Sequence, residues 1–236
     1  MINCKSSLNC ISGVFRDTKV ISEKGFVNIY NYYTDELIWP RGIPPDSERI
    51  KLKPELSNGP SEMEVVIIQG LVNNDPDVDA HYRININSGT FNFEKDQGYD
   101  IILDKYSVCP FNTQNTFWKD PTTFFAMYLP ITVTFRYTDI LRGFVALYQL
   151  WKNNKTIKFT FPTAVQERNE HNLNQDYESE IPMYKTANMV IELLNNNKDA
   201  TIREIYAIFV KNNIVEENEL DVLDEWITLV SQFTKE

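Results

Sequence analysis

Three aspartates follow an apolar run in the first half of the sequence and could bind a metal ion. The run EVVIIQGLV is short and bounded by turn residues, which is the pattern of a buried strand. Asp75, Asp77 and Asp79 come directly after it, in DPDVD. Carboxylate oxygens at a strand end suit a hard cation such as Mg²⁺ or Mn²⁺, and such a cation can stabilise a diphosphate leaving group. The alternative is a solvated turn that Asp75 and Pro76 simply begin.

A second candidate site lies at the start of the helical pattern YTDILRGFVALYQLWKNN. Asp139 is near the predicted N-terminus, and Arg142 is one turn along on the same face. The helix dipole and this arginine would keep the carboxylate ionised, as a general base for an acceptor hydroxyl must be. Arg136 could bind a phosphate or carboxylate through two hydrogen bonds. The alternative is a helix cap, formed by Thr138 or Asp139, with an ordinary ion pair.

Two loops supply further candidate ligands. The polar loop QERNEHNLNQD contains His171, which could complete a metal site or contact a phosphate, and Arg168, which could bind substrate. The alternative for this segment is an exposed polar loop. In the proline-rich loop IWPRG, Trp39 and Arg41 could form a stacking platform with a charged rim. The alternative there is a buried tryptophan that anchors the loop.

Charge and composition exclude some classes of function. The 236 residues carry a formal net charge of −10, so a polyanion would be repelled and nucleic-acid binding is not expected. No apolar run approaches the ~20 residues that a membrane-spanning helix needs, and the N-terminus lacks the apolar core of a signal peptide. The three cysteines form no paired metal motif. We therefore predict a soluble cytoplasmic protein, located in the host cytoplasm if the chain is viral.

The order of the predicted elements indicates an α/β fold. Strand candidates at residues 26–33, 64–72, 100–103 and 155–162 are interspersed with the helical pattern at 137–154, and a polar loop is predicted over residues 164–182. Three helical patterns with short asparagine-rich breaks follow residue 184 and predict a small C-terminal helical cap. We expect residues 1–24 to form a tail or edge segment, residues 25–183 the α/β domain and residues 184–236 the cap.

Several of these segments resemble a known family. The stretches GFVNIYNYYTDELIWPRGIP, QGLVNNDPDVDAHYRI and YLPITVTFRYTDILRGFVALYQLW look like the STELLO-type glycosyltransferases, over roughly residues 25–182. A weaker resemblance runs to the reversibly glycosylated polypeptides, which include UDP-arabinopyranose mutases. The positions that match their pattern are Gly70, Leu71, Pro76, Asp77, Asp79, Ala80, Arg136, Tyr137 and Asp139, and Asn115 also fits it.

The resemblance implies a GT-A-like fold with a mixed sheet and flanking helices, a nucleotide-sugar donor and a divalent metal, Mn²⁺ or Mg²⁺. We therefore predict metal-dependent transfer of a sugar from a UDP- or GDP-sugar to a hydroxyl of a glycan or protein acceptor. Asp139 is the predicted catalytic base. The predicted metal ligands are Asp75, Asp77, Asp79 and His171, and the predicted substrate contacts are Trp39, Arg41, Asn115, Arg136, Arg142 and Arg168.

One departure from the family pattern concerns the donor site. We expect the family's upstream nucleotide-binding half to be absent, because the first 25 residues offer only Asp17 and Glu23 as acids. A donor-binding subunit or a homo-oligomer could then supply that half. The alternatives to an enzyme are a non-catalytic glycosyltransferase-like scaffold and a carbohydrate-binding protein that uses Trp39 and the aromatic residues near Tyr30.

Overall fold

A six-stranded sheet that combines parallel and antiparallel pairs forms the centre of the fold. A computed structural model describes residues 16–58, 61–94, 96–167 and 169–233. The strands are β1 (Asp17–Ile21), β2 (Gly25–Phe26), β3 (Leu56–Asn58), β4 (Glu64–Asn73), β5 (Tyr99–Leu103), β6 (Ser107–Val108), β7 (Thr116–Trp118) and β8 (Lys155–Val165). The order across the sheet is β3-β1-β5-β8-β4-β7, and β2 pairs with β6 in a separate parallel ribbon. Within the six-stranded sheet the pairs β1·β5 and β4·β8 are parallel, and the other three are antiparallel.

Helices flank this sheet and form a cap at the C-terminal end of the described chain. The α-helices are α1 (Ala80–Asn85), α2 (Phe135–Lys152), α3 (Leu173–Asn196), α4 (Ile202–Lys211) and α5 (Glu219–Phe233). α2 packs against β8 and α3, and α3 also contacts α1 and α4. The architecture is the predicted α/β fold, and it is consistent with a GT-A-like fold. Among the described helices, none combines the length and the apolar character that a membrane span requires.

The central helix of the core is α2. Every residue from Ile140 to Trp151 is buried, because β8, α3, α4 and the 3₁₀ helix Pro121–Met127 contact it on several sides. A helix that is enclosed in this way can be apolar around its whole circumference. Its first turn, which includes Arg136, is less enclosed and reaches the surface. The buried part of α2 therefore fixes the position of its N-terminal turns.

The predicted strand at residues 26–33 is wrong beyond its first residue. These residues form instead a 3₁₀ helix, Ile29–Tyr32, capped by Asn28. The Asn28 side chain accepts a hydrogen bond from the Tyr30 N–H and donates to the carbonyls of Ile38 and Ile50, at 2.7 and 2.9 Å. Asparagine side chains can compete with strand pairing through such local bonds, and sequence propensity does not reveal this competition.

Two predicted ends of elements are also wrong. β8 does not stop at Pro162 but continues to Val165, because the proline lies at an irregularity in the pairing of β8 with β4. A proline, which has no N–H to donate, is tolerated at such a position. α3 begins inside the predicted polar loop, at Leu173. Asn172 caps it, since its side chain accepts hydrogen bonds from the N–H groups of Asn174 and Gln175.

One of the two predicted segment boundaries falls within a structural element, whereas the other, between residues 24 and 25, lies just before β2. β1 belongs to the segment predicted as a tail or edge, yet it lies between β3 and β5 inside the sheet. Residues 1–15 of that segment lie outside the described residues. The boundary between residues 183 and 184 falls within α3, so one continuous helix joins the α/β part to the cap. The division of the chain into three segments stays a prediction.

Candidate functional site

Two predicted site residues from distant segments, Asp77 and Asp139, share one arginine. Arg41 donates from Nε and Nη2 to the two oxygens of Asp77, at 2.9 and 3.0 Å. Nη2 also donates to both oxygens of Asp139, at 3.1 Å, and Nη1 donates to the carbonyl oxygen of Arg136. This guanidinium therefore bridges two carboxylates and uses donors on all three of its nitrogens.

A glycine allows Arg41 to reach this position. The Arg41 N–H donates to the Asp77 carbonyl at 3.1 Å, which joins the two loops. Gly42 follows with a φ of +112°, and a Cβ atom there would lie 2.6 Å from Cγ2 of Ile140 in α2. Only glycine combines this backbone conformation with so close an approach. The loop is therefore packed directly onto the helix that carries Asp139.

The carboxylate of Asp139 is not used as a helix cap. The N-cap of α2 is Thr134, so the prediction that Thr138 or Asp139 caps the helix is wrong. Asp139 lies in the second turn instead, where its side chain can face Arg41. The helix therefore begins at Phe135, two residues before the predicted helical pattern at residues 137–154.

Opposing effects set the protonation of this cluster. Burial by itself would raise the pKa of Asp77, but the charge and hydrogen bonds of Arg41 outweigh it and hold the pKa below its ordinary value. Burial would likewise lower the pKa of Arg41, but the charges of Asp77 and Asp139 outweigh it and raise this pKa. Asp77 and Arg41 are therefore both ionised at neutral pH.

A cleft of about 290 Å³ opens beside the cluster. Its lining combines carboxylate, amide and hydroxyl groups with two apolar side chains. Sites of this composition can bind a polyhydroxylated ligand, because the polar groups fix orientation and the apolar groups supply contact area. The lining residues are Arg41, Asp77, Asn112, Thr113, Gln114, Leu129, Phe135, Arg136, Thr138, Asp139 and Gln166.

The predicted substrate contact Arg136 lines the cleft but is already paired. It donates from Nε to Glu180 of α3 at 2.5 Å. Glu180 is fully buried and also accepts a hydrogen bond from the Ala80 N–H at 2.7 Å. Asp176 lies 4.0 Å from Arg136 and 3.2 Å from Nδ1 of His171. Arg136 therefore joins α1, α2 and α3, and its charge is compensated within the protein.

The four predicted metal ligands do not converge on one point. Over the described residues, no group of three or more histidine, cysteine, aspartate or glutamate side chains is arranged to hold a metal ion. The residues present do not fit the predicted site, because each of the three aspartates already accepts a hydrogen bond from another side chain. The donors are Arg83 to Asp75, Arg41 to Asp77 and Trp39 to Asp79. The imidazole of His171 contacts the Asp176 carboxylate. Metal binding by this protein stays a prediction.

Asp79 is the buried N-cap of α1. Its Oδ1 accepts from the Tyr82 N–H and its Oδ2 from Nε1 of Trp39, both at 2.7 Å. Trp39 is itself buried and packs edge-to-face on Tyr82, so it anchors its loop and does not form the predicted stacking platform. Burial raises the pKa of Asp79 to about 7, and the charge of Glu180 adds to the shift.

We expect Asp79 to reduce the stability of the fold as the pH rises from about 4 to 7. An aspartate in an unfolded chain ionises near pH ~3.9, whereas the pKa of Asp79 in the fold is about 7. The folded chain therefore binds more protons in this interval, and the free energy of unfolding falls as the pH increases. Relative to Asp79→Asn, which cannot ionise, the wild type should lose stability across the interval and level off above it. Urea unfolding at several pH values measures this, and parallel profiles would contradict it.

Arg142 does not reach the cleft. Its guanidinium is buried over the rings of Phe111 and Trp118, at 4.9 and 5.7 Å from their centroids. Its Nε donates to the Asp139 carbonyl at 3.3 Å. Burial lowers the pKa of Arg142 to about 10, and the charge of Asp139 acts in the opposite direction. Arg142 supports the Asp139 helix turn from inside the protein, and it is not exposed to a substrate in the cleft.

Asn115 joins strands and does not line the cleft. Its Nδ2 donates to the Leu71 carbonyl and to Oγ1 of Thr163, at 3.1 and 2.8 Å. A Cβ atom at Gly70 would lie 2.3 Å from Nδ2 of Asn115, so the glycine makes this contact possible. The last predicted contact, Arg168, lies outside the described residues.

Several residues of the site have no local sequence pattern that indicates a functional role. Glu180 lies in a segment that was predicted as a loop, where the periodicity of α3 was obscured by polar residues. The Gln114 side chain donates to Oε1 of Gln166 at 2.6 Å and to the Asp75 carbonyl at 2.7 Å, and both glutamines line the cleft. Phe135 also lines the cleft, and in the sequence only its position next to the predicted contact Arg136 indicates this.

Comparison with known proteins gives distant relatives. No protein-family model matches the chain. It is 27% identical over 152 residues to the Arabidopsis thaliana protein named "Probable glycosyltransferase STELLO2", and 26% identical over 152 residues to "Probable glycosyltransferase STELLO1". Each alignment covers 58% of this chain, and the chain spans only 18% of the length of each relative. These similarities support the resemblance to STELLO-type proteins at a distance, and they do not support the resemblance to the UDP-arabinopyranose mutases.

Proposed function

We propose that this protein is a glycosyltransferase that acts at the cleft beside Arg41, Asp77 and Asp139. The distant similarity to two STELLO glycosyltransferases and the α/β fold support this proposal. The observation that carries it is the position of Asp139, a carboxylate that lines the cleft and is held in place by a buried arginine. A carboxylate in this setting can accept the proton of a bound hydroxyl.

In this proposal Asp139 acts as the general base. An acceptor hydroxyl donates a hydrogen bond to Asp139, and its oxygen attacks the anomeric carbon of the donor sugar. The hydroxyl proton passes to the Asp139 carboxylate, while the bond from the anomeric carbon to the nucleotide diphosphate breaks. The electron pair of that bond leaves with the diphosphate. Asp77 is a positioning residue, because it holds Arg41 against Asp139.

The charge that stabilises the leaving diphosphate comes, in this proposal, from outside the described arginines of the cleft. Arg41 and Arg136 are already paired with carboxylates of the protein. Positive charge at a leaving group lowers the barrier to its departure. A divalent cation, Mn²⁺ or Mg²⁺, a donor-binding subunit or a second copy of this chain are the candidate sources. The proposed donor is a UDP- or GDP-sugar, and the proposed acceptor is a glycan or a protein.

We expect at least one UDP- or GDP-sugar to raise the melting temperature of the protein. A ligand that binds only the folded state stabilises it, by about 2.7 kcal/mol at a concentration of 100 times its Kd. A thermal-shift screen with and without Mn²⁺ identifies the donor, and release of the nucleotide in the presence of oligosaccharide acceptors then measures transfer. No shift and no nucleotide release with any donor, in either condition, would count against the proposal.

A non-catalytic sugar-binding or scaffold protein is the second candidate function. The observation in its favour is that both oxygens of Asp139 already accept hydrogen bonds from Arg41, so part of their capacity is used before a ligand arrives. Binding of glycans without transfer from any nucleotide sugar would favour this second function over the first.

A further inference from the structure

One exposed aromatic side chain lies at the edge of the cleft. Phe135 is the first residue of α2, it lines the cleft, and it is 91% exposed. A single exposed apolar residue is ordinary on a protein surface, but this one adjoins a cleft that is otherwise mostly polar. Leu129, which is 42% exposed, lines the same cleft. Together they give the cleft an apolar edge on which the carbon face of a ligand can rest.

The exposed ring is close to the proposed base along the helix. Phe135, Thr138 and Asp139 are three and four residues apart on α2, so they share one face of the helix. All three line the cleft. A ligand ring that stacks on Phe135 therefore lies about one helical turn from the Asp139 carboxylate. The buried part of α2 keeps this spacing constant.

The charges along the described part of the cleft lining do not suit an anionic ligand. Arg41 is shared by Asp77 and Asp139, and Arg136 is paired with Glu180. Both of the cleft arginines that the structure describes are thus compensated, and an anion would face the carboxylates. Neutral hydroxyl groups, in contrast, can donate to the carboxylates and can exchange hydrogen bonds with the amide side chains of the lining.

We propose that this cleft binds an uncharged sugar, with the apolar face of its ring on Phe135 and a hydroxyl group on Asp139. This inference rests on the proposed function, because it identifies the bound sugar as the acceptor of the proposed transfer. Phe135 is a substrate-binding residue that sets the distance from the ring to the base. Sugars that carry a carboxylate or a phosphate at this position are rejected, because their charge is repelled by Asp77 and Asp139.

Titration with matched neutral and acidic oligosaccharides tests this inference. The probes are neutral trisaccharides of glucose, galactose, mannose or xylose, and trigalacturonate as the acidic probe, with affinity measured by calorimetry or NMR. We expect at least one neutral probe to bind and trigalacturonate not to bind. The affinity should fall at least about fivefold in Phe135→Ala and be retained in Phe135→Tyr, which keeps the ring. Phe233→Ala is the matched control, because Phe233 is 69% exposed and lies outside the cleft lining.

Three outcomes would overturn the inference: no binding of any neutral probe, equal binding of trigalacturonate, or unchanged affinity in Phe135→Ala. Circular dichroism of each variant checks that it is folded, which we expect because the Phe135 side chain is exposed. The proposed function can fail separately. Binding of a neutral probe without transfer from any nucleotide sugar would reject the transferase and leave this inference intact. Sugar transfer at the same rate in the wild type and in Phe135→Ala would reject this inference and leave the proposed transferase function intact.

Discussion

Replacing Arg41 with methionine is expected to destabilise the fold by about 3 to 5 kcal/mol, because two carboxylates then lose their shared cation. The side chains of Arg41, Asp77 and Asp139 are only 7%, 13% and 14% exposed, so water cannot fully replace the guanidinium. Methionine keeps a similar length and apolar stem but supplies no charge and no hydrogen-bond donor. Urea unfolding followed by circular dichroism measures the change in the free energy of unfolding.

An exposed ion pair elsewhere in the chain provides the matched control for this substitution. Arg203 pairs with Asp224 at 2.9 Å, but the two side chains are 52% and 45% exposed. Pairs of this kind contribute about 0 to 1 kcal/mol, so Arg203→Met should have little effect. Adding Asp77→Asn to Arg41→Met should recover part of the loss, because it removes one of the two unpaired charges. If Arg41→Met is no more destabilising than Arg203→Met, then Arg41 does not hold the cluster together.

The largest effect on activity is expected for Asp139→Asn, which should lower the rate of sugar transfer by about 10² to 10⁴. Asparagine has nearly the same shape and keeps an oxygen that accepts a hydrogen bond from Arg41, but it cannot take the proton of the acceptor hydroxyl. The fold should survive, because Arg41 keeps both of its bonds to Asp77. Nucleotide release at saturating donor and acceptor measures the rate, and the melting temperature reports the fold.

Two further substitutions separate the role of a base from that of a structural carboxylate. Asp224→Asn removes an exposed carboxylate outside the cleft lining and should leave transfer unchanged. Asp77→Asn should lower transfer less than Asp139→Asn, since Asp77 acts only by holding Arg41 in place. A wild-type rate in Asp139→Asn would reject the assigned base. Equal losses in both cleft variants would show that an intact cluster, and not proton transfer to Asp139, limits the rate.

Local sequence patterns determined several elements and the candidate carboxylates. The apolar runs that became β4 and β5, and the helical periodicity of α2, α4 and α5, were sufficient to predict the α/β class. Each of these elements packs its apolar residues against neighbouring elements, so the pattern that predicts it is also the pattern of its burial in the fold. The sequence also selected Asp77 and Asp139, and the resemblance to glycosyltransferases selected the same residues. Both line the cleft.

The tertiary structure decided which of these groups can face a ligand. Asp79 caps α1 and binds Trp39, 40 residues away, while Asp77 binds Arg41, 36 residues away, and Arg41 reaches across 98 residues to Asp139. Burying a charged group without a partner is costly, so a fold that pairs its buried charges is favoured. The partners come from distant segments, and local spacing in the sequence does not reveal such contacts. Sequence patterns did not reveal Glu180 for the same reason. Glu180 pairs with Arg136 from α3, and the polar residues in the first part of α3 led to the prediction of a loop there.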